Sequence, residues 1–179
     1  MLEVKFFVKY FRSILMSRVG QSVINIPDGV EVKRVDNKFI VKGSKGELSA
    51  PLDDIVDVKI DQKEIKIELK DKNSRNKAIW GTTRALLNNA IQGVNSGFEK
   101  EMEIVGVGYR GALQGKKLIL NLGLSHTVEI EVPDYINIKM DGNTKLTISS
   151  ADKQKLGEFS AMVRSKRPPE PFKGKGIRY

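Results

Sequence analysis

Val56–Gly97 reads VDVKIDQKEIKIELKDKNSRNKAIWGTTRALLNNAIQGVNSG, and a change of period halfway along it decides the fold. Val56–Ile60 and Glu64–Leu69 alternate apolar and polar residues about a turn at Asp61-Gln62, which is the pattern of a hairpin with one buried face. Asn73-Ser74 can then cap a helix, because short polar side chains accept from the unpaired N–H groups of a first turn. Ile79, Thr83, Leu86, Leu87, Ala90, Ile91 and Val94 follow at three- and four-residue spacing. They make one apolar stripe of a helix that ends near Gly97.

Upstream, Glu31–Val35 and Phe39–Lys42 read as further strands, with turns at Asp36-Asn37 and Gly43-Ser44-Lys45-Gly46. Downstream the same order returns. Met102–Val107, Tyr109–Leu113, Lys117–Leu122, Val128–Val132, Ile136–Met140 and Leu146–Ile148 alternate as strands. Ser149-x-x-Asp152 fits a capping box, and Leu156, Phe159 and Val163 form a second helical stripe that stops at or before Val163. Val58-Lys59-Ile60-Asp61 lies over Ile138-Lys139-Met140-Asp141, and Trp80 falls opposite Phe159. The reading is an α+β protein of two duplicated domains, each an antiparallel sheet with one packed helix, plus a basic C-terminal tail. The expected divisions are an extension over 1–15, domains over 16–97 and 98–163, and the tail over 164–179.

Composition narrows the chemistry. The chain has 179 residues and a net charge of +9, no cysteine and a single histidine. Disulfides, zinc fingers and iron–sulfur clusters are therefore excluded, and no cofactor is expected. No apolar run approaches the length of a membrane span, and no membrane partner is expected. The charge is uneven: residues 98–163 hold eight basic and nine acidic residues, whereas 164–179 hold six basic residues against Glu170 alone. That concentration implies a polyanionic partner for the tail.

Gly106-Val107-Gly108-Tyr109-Arg110-Gly111 spells G-x-G-x-x-G, the dinucleotide-binding pattern. A pyrophosphate needs the last glycine to open a helix, and here a hairpin follows instead, so the glycines are expected to serve a bulge or a close backbone approach. A nucleotide-dependent enzyme built on them is the rival reading. His126 stands in a turn, without a nucleophile or carboxylate in the sequence context that it would orient. Asp53, Asp54 and Asp57 match no metal-loop spacing and read as a solvated bend. The chain is thus expected not to be an enzyme and to have no small-molecule substrate.

Residues 1–15 place Lys5, Lys9 and Arg12 opposite Phe7, Phe11 and Ile14 on a helical wheel. Such a helix could lie on a membrane or direct targeting. The alternative is that Met16 is the true start and the preceding residues are an over-extension. In the tail, Pro168, Pro169 and Pro171 are expected to end the helix and hold the chain extended. Lys173-Gly174-Lys175-Gly176 then presents two ammonium groups on a thin backbone, and Phe172 and Tyr179 offer rings to stack on bases or to pack on the domain. Removing 164–179 is expected to leave both domains folded.

Arg167-Pro-Pro-Glu-Pro-Phe-Lys-Gly-Lys-Gly-Ile-Arg-Tyr179 resembles the C-terminal signature of the bacterial-type large-ribosomal-subunit protein six family. The resemblance runs over 16–179, through Met16-Ser-Arg-Val-Gly20, Lys42-Gly-Ser-Lys-Gly-Glu47, Trp80-Gly-Thr-Thr-Arg-Ala-Leu86, Gly106-Val-Gly-Tyr-Arg110 and Gly123-Leu-Ser-His126. It implies a duplicated α+β protein that binds large-subunit ribosomal RNA near the translation-factor binding region, beside neighbouring large-subunit proteins. The implied setting is a cytoplasmic or an organellar ribosome. Arg164, Lys166, Arg167, Lys173, Lys175 and Arg178 are the implied phosphate contacts, with Gly174 and Gly176 allowing close approach. Phe172 replaces the family's usual tyrosine, losing a hydroxyl but keeping the ring. Gln21 replaces a common basic residue, which weakens a phosphate contact there. Residues 1–15 have no counterpart in the family.

Overall fold

The computed structural model describes residues 18–61, 63–70 and 76–179. The expected extension over 1–15 and the expected cap at Asn73-Ser74 lie outside them. The chain divides after Asn95 into two units.

The first unit begins with a short helix α1 (Arg18–Gln21) and a two-residue strand β1 (Ile24–Asn25). Strands β2 (Glu31–Val35), β3 (Lys38–Gly43) and β4 (Gly46–Pro51) form one antiparallel sheet in that order. Strands β5 (Val56–Ile60) and β6 (Glu64–Leu69) form a second with β1, in the order β1-β6-β5. Helix α2 (Asn76–Asn95) packs its stripe of Trp80, Thr83, Leu87, Ala90, Ile91 and Val94 onto both. The core sits between helix and sheets, where Phe39, Val41, Ile65, Leu87 and Val94 are fully or almost fully buried.

The motif Lys42–Glu47 has a structural explanation. Its hairpin turn meets the C-terminus of α2, where the Lys45 N–H donates to the Val94 carbonyl at 2.9 Å and the Ser44 hydroxyl donates to the Asn95 carbonyl at 3.0 Å. A helix C-terminus leaves its last carbonyls without helical partners, and this turn supplies them. The strand that leaves the turn, β4, did not show in the sequence reading.

The second unit repeats the plan. Strands β7 (Phe98–Val105), β8 (Arg110–Gln114), β9 (Lys117–Asn121), β10 (Val128–Glu131), β11 (Asn137–Asp141) and β12 (Lys145–Ser150) lead into α3 (Lys153–Ser165). Strands β8, β9 and β10 form the sheet equivalent to β2-β3-β4. Strand β12 lies between β11 and β7 as β6 lies between β5 and β1, and the matching tetrapeptides lie at the end of β5, running one residue past it, and in β11. Trp80 and Phe159 each anchor their helix in a core. The duplicated α+β architecture is therefore present.

Three details depart from the sequence reading. Asp152, not Ser149, caps α3: its carboxylate accepts from the Gln154 and Lys155 N–H groups at 2.9 and 3.3 Å. The Ser149 hydroxyl instead faces the Asn137 carbonyl within the sheet. Second, α3 runs past Val163 to Ser165, so Arg164 belongs to the helix. Third, the chain after α3 does not stay extended. It doubles back, and a final strand β13 (Gly176–Arg178) pairs antiparallel with β7, with Ile177 opposite Ile104 and Arg178 opposite Glu103. The prolines end the helix, but the unpaired edge of β7 decides where the chain goes next. Ile177 is fully buried in the second core, so the segment read as a tail contributes a strand to it. Among the described residues the first unit has no counterpart of β13.

Candidate nucleic-acid interface

Between α3 and β13 the chain forms a closed loop. The Glu170 N–H donates to the Lys175 carbonyl at 2.9 Å, the Gly174 N–H to the Glu170 carbonyl at 3.1 Å, and the Ile177 N–H to the Arg167 carbonyl at 2.8 Å. These three bonds hold Phe172, Lys173 and Gly174 at the loop tip. Gly176 at the base of the loop has φ +138°, and a Cβ there would lie 2.6 Å from the Pro168 carbonyl oxygen. The bare backbone at Gly176 therefore admits this chain's own Pro168, not an outside group. No residue with a side chain fits there without moving backbone.

The six cations read from the sequence fall into two sets. Arg178 is committed: its Nη2 and Nε both donate to Oε2 of Glu103, at 2.8 and 3.2 Å. The guanidinium of Arg164 lies 5.3 Å from the centre of the Tyr179 ring, and the Lys100 ammonium 3.9 Å from it. Those contacts fix the C-terminal ring on its domain. Lys166, Arg167, Lys173 and Lys175 have no ion pair among the described residues. Sequence reasoning missed Glu103 and Lys100, because both reach the tail only through the β7–β13 pairing. Alternating charges on Glu99-Lys100-Glu101-Met102-Glu103 were the available signal.

The G-x-G-x-x-G stretch is a turn. The Tyr109 N–H donates to the Gly106 carbonyl at 3.2 Å, and Gly108, third of the four residues, has φ +78°, as a type II turn requires. The last glycine, Gly111, lies inside β8, where Ile104, Met140 and Leu120 crowd it at 3.1 to 3.3 Å from a Cβ position. No helix opens there to receive a pyrophosphate. The Tyr109 ring covers both Gly106 and Gly123, which joins two of the quoted motifs in one packing unit. At Gly108 the space beside the backbone is open, so Gly108→Ala meets only the conformational cost of a positive φ. Thermal or urea unfolding should register a loss of about 1 kcal/mol. A neutral substitution would mean the turn relaxes at no cost.

His126 is exposed in the loop before β10. Asp53 accepts from the Ile55 N–H in the bend before β5, and Asp57, within β5, accepts from the Val58 N–H, so both carboxylates bond to their own local backbone. Among the described residues no group of three or more metal-ligating side chains converges.

Fold and surface together define a class: a tandem α+β protein whose second unit carries a hydrogen-bonded cationic loop. Comparison with known proteins narrows it. Residues 26–97 and 105–179 match the family model described as Ribosomal protein L6. A "Large ribosomal subunit protein uL6" of Oenococcus oeni is 46% identical over 164 residues, 92% of each chain. Proteins of the same name from Levilactobacillus brevis and Thermoanaerobacter sp. (strain X514) are 46% and 48% identical, again over 92% of each chain. The chain belongs to the Ribosomal protein L6 family.

Proposed function

We propose that this chain is a structural constituent of the large ribosomal subunit, not a catalyst, and that it binds large-subunit ribosomal RNA near the translation-factor binding region. The observation that carries the RNA reading is the loop 170–175, which presents Lys173 and Lys175, without an ion pair among the described residues, on a backbone fixed by its own hydrogen bonds. A fixed loop has already lost the conformational entropy that a free tail would lose on binding. Lys166 and Arg167 extend the same basic surface at the end of α3, and Gly174 keeps the loop tip thin. Arg164 and Arg178 reach phosphate only in competition with Tyr179 and Glu103. Gly176 contributes by shaping the loop base. The relatives' shared name supports assembly into the large subunit; neighbouring subunit proteins as partners and a cytoplasmic ribosome as the setting belong to the same proposal. No small-molecule substrate or cofactor enters this reading.

Two measurements test it. The protein should co-sediment with large subunits. Its affinity for protein-free large-subunit ribosomal RNA should fall with salt at a log–log slope of roughly 3 to 4, set by four available cations. Lys173→Ala and Lys175→Ala should each flatten that slope by about one unit or slightly less, with melting unchanged. Unaltered slopes in both variants would remove phosphate contact by this loop.

A further inference from the structure

Among the described residues two apolar side chains are almost wholly exposed, Phe172 at 93% and Val107 at 94%, whereas the next, Tyr179, is at 54%. Both stand on well-defined backbone. Phe172 lies in the loop closed between Glu170 and Lys175, and Val107 in the hydrogen-bonded turn from Gly106 to Tyr109. Because Gly176 pairs with Val105, the two turns leave the same end of the four-stranded sheet. Tyr179, the other ring of this segment, is held by Lys100 and Arg164. The two rings therefore have different jobs: Tyr179 packs on its own domain, and Phe172 has no intramolecular role visible in its burial.

We propose that Phe172 is a stacking platform for an unpaired base of the bound RNA, so that the site recognises a looped-out or single-stranded nucleotide and not duplex backbone alone. This rests on the RNA reading above and deepens it. Paired bases in an A-form helix hide their faces, and only an unstacked base offers a flat apolar surface to a ring. The loop pairs such a ring with charge in the required arrangement. Lys173 follows Phe172 directly and Lys175 comes two residues later, so a base on the ring would have its phosphates near ammonium groups. The one acidic residue of the segment, Glu170, takes part in the loop through its backbone N–H and carbonyl. An apolar pocket on a protein would also accept a phenyl ring, but two ammonium groups within three residues favour a polyanion.

Phe172→Ala, Phe172→Tyr and Phe172→Trp in the full chain test the proposal, with protein-free large-subunit ribosomal RNA as the ligand. Phe172→Ala should weaken binding about tenfold, the scale of one base–ring stack, at an unchanged salt slope and an unchanged melting temperature. The tyrosine and tryptophan variants should bind within about threefold of wild type. The new indole of Phe172→Trp should be quenched by the RNA, against a baseline from the buried native Trp80. Wild-type affinity in Phe172→Ala, or an unquenched indole in Phe172→Trp, would overturn the stack. If Lys173→Ala still flattened the salt slope, the RNA reading would stand without it. Normal binding of free RNA by Phe172→Ala together with failure to enter subunits would place the ring on a protein and overturn the proposal. Absence of RNA binding by the wild-type chain would overturn both readings at once.

Discussion

Deletion of residues 164–179 is expected to unfold the second unit. The sequence suggests the opposite, because the segment is basic, rich in proline and glycine, and follows the last apolar stripe. In the fold, however, it carries β13. Removing it takes the fully buried Ile177 out of the core and strips the hydrogen-bonded edge from β7. Loss of an Ile side chain from a packed core costs about 2–5 kcal/mol. Exposure of neighbouring Ile104 and loss of the last two helical residues, Arg164 and Ser165, add to it. A small domain has only about 5–15 kcal/mol to lose. Calorimetry of the truncated chain should therefore lack a cooperative transition for the second unit. Truncation after Lys175 makes the point more sharply: it removes one cation, Arg178, yet should destabilise nearly as much. Replacing Lys166, Arg167, Lys173 and Lys175 together by glutamine should do the reverse, leaving the fold and removing the salt-dependent affinity. A folded second unit in the shorter truncation would show that β13 is dispensable.

The contrast shows which links of sequence to structure are local. Strands β5 and β6, with their tight turn and dense alternation, are legible because each residue's neighbours in sequence are its neighbours in the sheet. The same holds for α2 and α3, whose stripes lie within one element. The duplication is legible because both copies keep the order of these local signals. Strand β4 is hidden by its composition: Gly46, Ser49 and Pro51 read as turn residues, and only pairing with β3 makes Gly46–Pro51 a strand. Strand β13 is hidden for a stronger reason. Its three residues have almost no strand signal, and the partner edge lies some seventy residues earlier. The candidate site was legible as charge but not as shape. Composition located the cations of 164–179, whereas the sorting into loop-borne Lys173 and Lys175 and Glu103-paired Arg178 depends on a register that no local pattern encodes.

Trp80 should be the costliest single side chain of the first unit, and its effect should be coupled to Gly20. The indole is buried in the core beneath α2, and its Nε1–H donates to the Ile67 carbonyl at 2.8 Å. That carbonyl lies on the side of β6 that β1 barely covers, since β1 pairs only with Ile65 and Glu64. Gly20 at the end of α1 lies against the ring, where a Cβ would come within 2.7 Å of Cε2. Trp80→Ala should therefore cost about 3–5 kcal/mol, combining a large cavity with an orphaned carbonyl. Trp80→Phe should cost about 1–3 kcal/mol, mainly for the lost indole donor. Gly20→Ala should cost about 1–3 kcal/mol by overpacking, because its methyl group meets the ring of a buried side chain. In the double variant Gly20→Ala/Trp80→Ala the ring is gone and the added methyl group enters the vacated space. The double loss should then fall short of the summed single losses by at least 1 kcal/mol, the sign and scale of direct contact in a double-mutant cycle. Urea unfolding followed by circular dichroism gives all four stabilities, because Trp80 is the only tryptophan and fluorescence disappears with it. Additive losses would mean that Gly20 is there for a reason other than the indole ring.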